Sequence, residues 1–250
     1  MRKLIQSTLR KFGYTIVSAP KEMSDIPPDM DRAFQRIFRQ CKPYTMTSIE
    51  RMYALYKAVE YIVRADVPGS LVECGVWKGG SVMMMASTLK RMQETKRMIY
   101  LYDTFAGMTK PTRIDRSIYS SQPAIQVWRK TQERIHNAWN FVSLPEVKQH
   151  VFLTGYPKRK FVFVQGKVEE TIPATIPSRI ALLRLDTDWF TSTYHELTHL
   201  FPRLSRGGIL IIDDYGDYVG ARRATDRYFR EQKIFMLLQR IDAGGRLGVK

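Results

Sequence analysis

The sequence predicts an α/β fold in which a mostly parallel, doubly wound sheet lies between layers of helices. Three observations predict it: short apolar runs typical of buried strands alternate with helical periodicities, several of these runs end in acidic residues, and a glycine-rich turn follows the first run. In such a fold, right-handed crossovers join the parallel strands, and ligands bind beyond the carboxyl ends of the strands. We therefore expect a functional site at those strand ends.

The predicted elements follow one another along most of the chain. Segment 47–63 has apolar residues at helical spacing; Thr47 or Ser48 can cap this helix, and Glu50 is placed to close a capping box on Thr47. Strands and helices alternate beyond Pro68. They are a strand at 71–76, a helix at 80–92, a strand at 98–105, a helix near 123–140, strands at 160–168 and 179–188, a helix at 192–204, a strand at 207–214, a helix at 223–233 and a hairpin within 235–250.

The N-terminal segment has a different pattern. A short helix is predicted at its start, with one apolar face flanked by basic residues and Gly13 as its end. Such a helix can lie on a membrane surface, or it can dock on its own domain or on a partner subunit. We predict an N-terminal helical extension over 1–43, followed by a single domain over 44–250. The apolar face is formed by Leu4, Ile5, Thr8, Leu9 and Phe12.

Length, cysteine content and charge limit the classes of protein. The 250 residues suit one α/β domain, no apolar run approaches the ~20 residues of a membrane span, and no signal-peptide pattern is present. Only Cys41 and Cys74 occur, so we expect no disulfide framework and a cytoplasmic location. The net charge is +16, and residues 78–160 hold 15 basic and 5 acidic residues. This surface either attracts an anionic partner or is simply solvated; without a nucleic-acid-binding motif, we expect no nucleic acid partner.

Acidic residues follow two of the predicted strands. Residues 209–212 form an apolar run typical of a strand buried on both faces, and Asp213 and Asp214 come directly after it, as Asp186 and Asp188 do after the preceding strand. Neighbouring parallel strands lie ~5 Å apart, so these carboxylates repel each other unless a cation shares the site. We predict that Asp186, Asp213 and Asp214 bind Mg²⁺ or another hard divalent ion. Asp188 is then left to take a proton from a metal-bound alcohol.

A glycine-rich turn and a second acid indicate where a nucleotide-like cofactor can bind. The first predicted strand leads through Glu73 and Gly75 to Gly79, with a GxxxGG spacing and a helix behind it. Such glycines let a ligand approach the backbone, although they also occur where a helix only packs on a strand. Asp103 ends the second strand, where an acid can bind a ribose diol or simply cap a turn. His195 and His199, four residues apart on a predicted helix, are predicted to be structural, with His195 a minor candidate for the site.

Several motifs together resemble those of the macrocin O-methyltransferase (TylF-type) family. They are LVECGVWKGGS, YLYDTFAGM, VQGKVEETIP, LRLDTDWFTSTYHELTHLFPRLSRGGILIIDDYG and QRIDAGGRLGVK, in this order between about Tyr44 and Lys250. The resemblance implies a seven-stranded, Rossmann-like class I methyltransferase fold that uses S-adenosylmethionine and Mg²⁺. It also implies methylation of a sugar hydroxyl on a glycoside or related saccharide, and a homo-oligomer.

The resemblance assigns roles to individual residues. Asp186, Asp213 and Asp214 match the metal ligands, Asp188 the general base and Asp103 the ribose-binding acid. The other residues that match cofactor-binding positions are Thr47, Ser48, Glu73, Gly75, Gly79, Ser81, Thr104, Phe105, Gly166, Val168 and Glu169, and Asp186 is expected to contact the cofactor as well. The mechanism implied is an in-line displacement, in which Asp188 deprotonates the acceptor hydroxyl and the oxygen attacks the sulfonium methyl group.

An insertion over about 110–160 is expected to line or cover the acceptor pocket. Trp128, Trp139 and Tyr119 can stack on a sugar there, although core packing explains each of them equally well. The basic charge of this stretch favours an anionic acceptor, such as a nucleotide-linked or lipid-linked sugar or a charged polysaccharide.

Three alternative functions remain open on the sequence. One is a catechol-type methyltransferase, which uses the same cofactor and metal but acts on a phenol, so that only acceptor screening excludes it. Residues 186–188 also form a DxD pattern, which in a metal-dependent glycosyltransferase binds a nucleotide sugar through a metal ion. That alternative predicts no affinity for S-adenosylmethionine. A non-catalytic binding protein on the same fold would use the basic face for nucleic acid, with steeply salt-dependent binding that survives loss of Asp186 or Asp213.

Overall fold

A computed structural model describes residues 26–250 of the chain, which divides into two units between Asp31 and Arg32, and the second unit, Arg32–Lys250, is compact. The predicted amphipathic helix falls within residues 1–25 and therefore lies outside the described residues. All the elements named below belong to the second unit, including a helix at Arg32–Cys41 that the predicted extension contains. The division into an extension and a main domain stays a prediction. Among residues 26–250, none of the helices has the length and apolar content that a membrane span requires.

The second unit alternates helices and strands along its length, as the sequence predicts. The helices are α1 Arg32–Cys41, α2 Ile49–Arg64, α3 Gly80–Arg91, α4 Ala124–Lys130, α5 Leu144–Phe152, α6 Val168–Thr171, α7 Phe190–Leu200 and α8 Val219–Glu231, with 3₁₀ turns at Lys42–Tyr44, Lys158–Lys160 and Phe201–Arg203. The strands are β1 Ser70–Cys74, β2 Ile99–Asp103, β3 Phe161–Gln165, β4 Ile180–Leu185, β5 Leu204–Ile212, β6 Gln239–Arg240 and β7 Arg246–Val249.

The strands form one seven-stranded sheet in the order β3-β2-β1-β4-β5-β7-β6. Strands β1 to β5 pair in parallel, and β7 pairs antiparallel with both β5 and β6. The strand order reverses between β1 and β4, which is the position where ligands bind in doubly wound sheets. The predicted fold class is therefore confirmed.

The two faces of the sheet bury different sets of side chains. Because side chains alternate along a strand, Val72, Leu183 and Leu210 pack on one face, together with Leu197 of α7 and Tyr228 of α8. Helix α2 packs against β4 and β5 on the other side. All six residues of β4 are buried, as expected for a central strand covered by helices on both faces. Burying each Leu or Ile side chain contributes about 1.5–3 kcal/mol before the entropy of ordering is subtracted.

The structure differs from the sequence-based expectation in the insertion. The predicted helix near 123–140 is only α4, Ala124–Lys130, and a second helix, α5, follows at Leu144–Phe152. The buried Asn137 explains the break, because its Nδ2 donates to the carbonyl of Trp128 and its Oδ1 accepts from the backbone N–H of Trp139. An amide side chain that bonds the backbone in this way competes with helix formation.

The start of α2 also settles which residue caps it. Ser48 is the N-cap, and its Oγ accepts from the backbone N–H of Arg51 at 3.1 Å. Thr47, the other candidate, lies one residue before the cap and lines a cavity instead.

Candidate active site

A cavity of about 390 Å³ lies beyond the carboxyl ends of β1, β4 and β5, where the sequence predicts the site. A smaller cavity of about 70 Å³ lies beside it near the ends of β2 and β3, and the two share Gly75, Asp103 and Asp186 in their walls. The predicted site residues in the wall of the larger cavity are Thr47, Glu73, Gly75, Ser81, Asp103, Asp186, Asp188, Asp213 and Asp214. Thr104, Gly166, Val168 and Glu169 line the smaller one.

The glycine-rich turn after β1 brings backbone atoms of two strands into close approach. Gly75 has φ +82°, and a Cβ atom placed on it would lie 1.9 Å from the carbonyl oxygen of Asp186. No other residue type fits there without moving the backbone. Gly79, with φ +90°, occupies the N-cap of α3, so the first turn of that helix points its N–H groups toward the glycine-rich turn.

Asp103 at the end of β2 is held by the same turn. Its Oδ2 accepts from the backbone N–H groups of Val76 and Trp77 at 2.7 and 3.1 Å, and its Oδ1 accepts from that of Phe105 at 2.7 Å. A carboxylate has about four lone-pair sites, so capacity remains for a ligand hydroxyl. Phe105 itself is buried and lines neither cavity.

The segment before α2 contacts the C-terminal hairpin. Ser48 Oγ donates to Asp242 Oδ2 at 2.7 Å, and Arg51 Nε bonds the same carboxylate at 2.8–2.9 Å. Asp242 Oδ1 also accepts from the backbone N–H groups of Gly244 and Gly245. Ser48 therefore has a structural role at this junction, and its role toward a cofactor stays a prediction.

Arg184 is the buried cation of the carboxylate cluster, and the sequence analysis missed it. It lies in the middle of β4, only 1% exposed, and pairs with Glu73, with Asp186 Oδ2 at 2.7 Å and with Asp213 Oδ1 at 2.7 Å. Its guanidinium also donates to Thr47 Oγ1 at 3.2 Å. The signal was present, since a single arginine inside the otherwise apolar IALLRL has to find buried anionic partners.

Arg51 of α2 holds the same cluster from the other side. It donates to Asp213 Oδ2 at 2.7 Å and to Asp217 Oδ2 at 2.8 Å, besides its bonds to Asp242. The glycines of the C-terminal turn make room for it, because a Cβ on Gly244 would lie 2.0 Å from Arg51 Nη2. Asp213 is thus bracketed by two arginines that come from different elements.

The predicted metal ligands converge. Asp186, Asp213 and Asp214 each present one oxygen, and these atoms lie within 4.8 Å of one another. Two oxygens on opposite sides of a Mg²⁺ octahedron are about 4.2 Å apart, so small side-chain adjustments bring these ligands onto one ion. The donor set consists only of carboxylate oxygens, which hard divalent cations prefer.

The charge balance of the cluster also fits a cation. Arg51 and Arg184 pair with Asp186, Asp213 and other acids, but none of the described arginines or lysines forms an ion pair with Asp188 or Asp214. Burial and the neighbouring carboxylates raise the pKa of Asp188 to about 8 and that of Asp214 well above its usual value. A divalent cation would offset this repulsion and keep both carboxylates ionised.

Asp188 sits in an unusual backbone conformation. Its φ is +62°, in the left-handed region that costs a non-glycine residue of order 1 kcal/mol or more. Its backbone N–H donates to Asp214 Oδ2 at 3.1 Å, which ties the loop after β4 to the end of β5. Two other residues in the cavity wall, Trp77 and Asn140, also have positive φ.

The insertion reaches the larger cavity through few residues. Trp139 and Asn140 line it, whereas Trp128 and Tyr119 do not, and the Lys and Arg residues of 110–160 are absent from its described wall. The wall of the larger cavity is therefore acidic, whereas the positive charge of the insertion had led us to expect a basic acceptor pocket. His195 lies outside both cavities and hydrogen-bonds the carbonyl of Ile172 at 2.9 Å, as a structural residue does.

Strand order, glycine-rich turn and acidic strand ends together define the class: this is the Rossmann-like fold of class I methyltransferases. A model of the family described as macrocin-O-methyltransferase (TylF) matches residues 23–247. The chain belongs to this family. The resemblance stated from the sequence motifs is thereby confirmed.

Individual relatives agree with this assignment. The chain is 34% identical over 172 residues to the 8-demethyl-8-(2,3-dimethoxy-alpha-L-rhamnosyl)-tetracenomycin-C 4'-O-methyltransferase of Streptomyces olivaceus, covering 69% of this chain and 62% of that protein. It is 30% identical over 202 residues to the demethyldecarbamoylnovobiocin O-methyltransferase of Streptomyces niveus, covering 81% and 74%. The chain thus spans somewhat less than two thirds of the first relative's length. Among solved structures, the O-methyltransferase NovP superposes with a TM-score of 0.71 at 29% identity, covering 83% of this chain and 82% of that one.

Proposed function

We propose that this protein transfers the methyl group of S-adenosylmethionine to a sugar hydroxyl of a glycoside or related saccharide, with Mg²⁺ at Asp186, Asp213 and Asp214. The observation that carries the proposal is the convergence of these carboxylates beside the glycine-rich turn of β1, in one cavity. Membership of the macrocin-O-methyltransferase family and a relative named for a rhamnosyl-bearing compound support the choice of a sugar acceptor.

The residues that line the two neighbouring cavities suit the chemistry of S-adenosylmethionine. The smaller cavity, with Gly166 and Val168 in its wall, would take the adenine, and Asp103 between the two cavities would take the ribose hydroxyls. Glu73 Oε2 is buried and has no hydrogen-bond partner among the described residues, so it can accept from the amino group of the methionine part. Gly75 allows the cofactor to approach the backbone.

The chain's own residues would align the acceptor and remove its proton. When bound, Mg²⁺ would lower the pKa of an alcohol that it contacts and offset the charge of the carboxylates. Asp188 is the base: it lines the cavity, it is not one of the converging metal ligands, and its left-handed backbone and its bond to Asp214 hold it in place. Arg184 and Arg51 fix Asp186 and Asp213, so most of the rate would come from alignment and charge placement.

The proposal is tested by calorimetric titration of S-adenosylhomocysteine into the protein, with Mg²⁺ and with EDTA. We expect micromolar binding that persists in EDTA. Asp103→Ala should weaken it at least about tenfold, since hydrogen bonds to a charged group contribute about 1.5–3 kcal/mol. Asp226→Ala, which removes an exposed carboxylate of α8 that accepts a hydrogen bond from the hydroxyl of Tyr215, is the control and should bind normally. Absence of binding under every condition would overturn the methyltransferase proposal, and a nucleotide-sugar panel with Mn²⁺ would then test the glycosyltransferase alternative.

Other parts of the sequence-based expectation stay predictions. They are a cytoplasmic location, a homo-oligomer, contact of the N-terminal helix with a membrane surface, and an acceptor with an anionic part. The family match favours the methyltransferase over the glycosyltransferase and over a nucleic-acid-binding protein. If an anionic group is part of the acceptor, it has to bind outside the acidic wall of the larger cavity.

A further inference from the structure

Two aromatic side chains form part of the larger cavity's wall beside its carboxylates. Trp139 of the insertion and Tyr218 at the start of α8 both line it, close in the chain to Asn140 and Asp217, which line it too. Trp189, only 3% exposed, packs edge-on against both rings, with centroid distances of 5.7 Å to Trp139 and 5.3 Å to Tyr218. One buried ring therefore holds both aromatic walls in position.

The indole N–H of Trp139 and the hydroxyl of Tyr218 are available to bond a ligand, whereas the indole N–H groups of Trp128 and Trp189 are already bonded. Trp128 Nε1 donates to the carbonyl of Met108 at 2.9 Å, and Trp189 Nε1 donates to that of Thr109 at 3.0 Å. Within residues 26–250, neither Trp139 Nε1 nor the hydroxyl of Tyr218 has a hydrogen-bond partner. Both side chains are half-buried in the cavity wall, so these donors are open to a ligand that enters the cavity.

The backbone around both rings is fixed before any ligand binds. The carbonyl of Trp139 accepts from Met108 N at 3.0 Å, and its own N–H donates to Asn137 Oδ1 at 3.0 Å. Tyr218 N donates to the carbonyl of Asp214 at 2.9 Å. Residues 116–118 of the insertion pair antiparallel with 217–219 and so connect the insertion to the loop after β5. Such preorganised walls are typical of ligand-binding sites, because little ordering entropy is lost on binding.

The charges near these rings decide what can bind. Asp188, Asp214 and Asp217 contribute acceptors for hydroxyl groups, and Arg51, the one arginine or lysine in the described wall, is already paired with three carboxylates. Apart from a metal ion held by Asp186, Asp213 and Asp214, a carboxylate or phosphate on the bound ring would meet this acidic wall without a free arginine or lysine among the described residues. An uncharged ring with many hydroxyl groups and an apolar C–H face matches both the acceptors and the aromatic surfaces.

We propose that Trp139 and Tyr218 form the subsite for the acceptor sugar, and that this subsite takes an uncharged sugar ring. One ring face packs on the aromatic wall, while the indole N–H and the phenol O–H donate to oxygens of the sugar next to the hydroxyl that reacts at Asp188. The inference rests on the proposed function, because it assumes that the cavity holds the acceptor. It assigns specificity to two residues that lie outside the metal and cofactor groups.

The test uses the full chain loaded with S-adenosylhomocysteine and Mg²⁺. Saturation-transfer NMR measures contacts to p-nitrophenyl α-L-rhamnoside, β-D-glucoside and β-D-glucuronide, and methyl transfer from S-adenosylmethionine to the same compounds gives KM and kcat. We expect contacts to the neutral sugars and weaker binding of the glucuronide. Tyr218→Phe should raise the KM about fivefold and Trp139→Leu about tenfold, which are the losses expected for one hydrogen bond and for a stacking contact with its hydrogen bond.

Matched controls separate the possible outcomes. Tyr215→Phe removes a hydroxyl that bonds Asp226 away from the cavity, and it should leave acceptor KM and S-adenosylhomocysteine affinity unchanged. If the wild type methylates a glycoside and both subsite variants keep its KM, the subsite is overturned and the proposed function stands. No sugar contact in a protein that binds S-adenosylhomocysteine, or equal binding of glucoside and glucuronide, also overturns the subsite. Failure to bind S-adenosylhomocysteine overturns the proposed function itself.

Discussion

Replacing Arg184 with methionine should destabilise the protein strongly, because its guanidinium is the central cation of a buried cluster. Arg184 and Glu73 are each 1% exposed, and Glu73 has no other cationic partner among the described residues. Asp213 keeps its bond to Arg51, and Asp186 has a side chain that is 29% exposed. The loss therefore falls mainly on Glu73, because burial raises its pKa to about 8 even with Arg184 present, and without Arg184 it would be a buried acid that is either unpaired or protonated.

The loss of stability in Arg184→Met can be estimated from the ion pair that Glu73 loses. Removing one partner of a buried ion pair costs about 3–5 kcal/mol, because the other charge stays buried. For a domain of this size, each kcal/mol lowers the melting temperature by about 2–4 °C, so Arg184→Met should melt roughly 10 °C below the wild type. The measurement is thermal and urea unfolding followed by circular dichroism at pH 7 in EDTA. The matched control is Arg64→Met: Arg64 contacts Glu60 at 3.4 Å with a side chain 68% exposed, and its loss should change stability by less than about 1 kcal/mol.

A double-variant cycle makes the reasoning refutable. If Glu73 carries the loss, Glu73→Gln in the Arg184→Met background should restore at least about 1 kcal/mol, within the range of coupling energies for residues in contact. Equal melting temperatures for Arg184→Met and Arg64→Met would show that the buried cluster does not depend on this arginine. A double variant no more stable than Arg184→Met would show that the unpaired charge is not Glu73.

Three further predictions concern neighbouring features. Burial raises the pKa of Glu196 to about 8, so the folded state holds its proton more tightly than the unfolded state. The free energy of unfolding should therefore fall as pH rises from about 4.5 to 8. Measured by unfolding at pH 6 and at pH 8, this decrease should be about 2 kcal/mol smaller in Glu196→Gln than in the wild type. In Gly244→Ala, the new Cβ would lie 2.0 Å from Arg51 Nη2 and 2.2 Å from Asp217 Oδ2. We expect about tenfold weaker Mg²⁺ binding by calorimetry in the presence of S-adenosylhomocysteine, with S-adenosylhomocysteine affinity retained in EDTA; unchanged Mg²⁺ affinity would contradict this positioning role. Mg²⁺ at 100 times its Kd should raise the melting temperature by about 5–10 °C, and no shift would overturn the metal assignment.

Local patterns in the sequence predicted the sheet and the acidic strand ends, because both depend on residues close together in the chain. The run at 209–212 identifies a buried strand by itself, and Asp213 and Asp214 follow it directly. Parallel pairing then brings Asp186 beside them, since Leu185 pairs with Ile212 in the register of β4 and β5. Adjacent strand ends are a topological consequence that the alternation of helices and strands already implies.

Contacts between distant parts of the chain were not predictable in the same way. Arg51 and Asp242 are 191 residues apart, and nothing local marks them as partners. The prediction of one helix near 123–140 was wrong for a related reason. The side chain of Asn137 hydrogen-bonds the backbone of Trp128 and Trp139, and these bonds replace helical hydrogen bonds there. That Trp139 Nε1 and the Tyr218 hydroxyl have no hydrogen-bond partner within residues 26–250 is likewise visible only once the partners of the surrounding rings are known.

The arrangement of charges gives the acidic cluster two unlike sides. On one side Arg184 and Arg51 neutralise Asp213 and its neighbours within the protein. On the other side Asp188 and Asp214 face the cavity without a cation from the described chain, and Asp188 is also held in a left-handed conformation. The first side stabilises the fold and orients the ligands, whereas the second is costly in the absence of a bound cation. Unfavourable charge and backbone conformation persist mainly where they serve catalysis or binding. We therefore expect a metal ion and an acceptor hydroxyl to bind on the Asp188 side. The paired arginines hold the carboxylates in position before either of them binds.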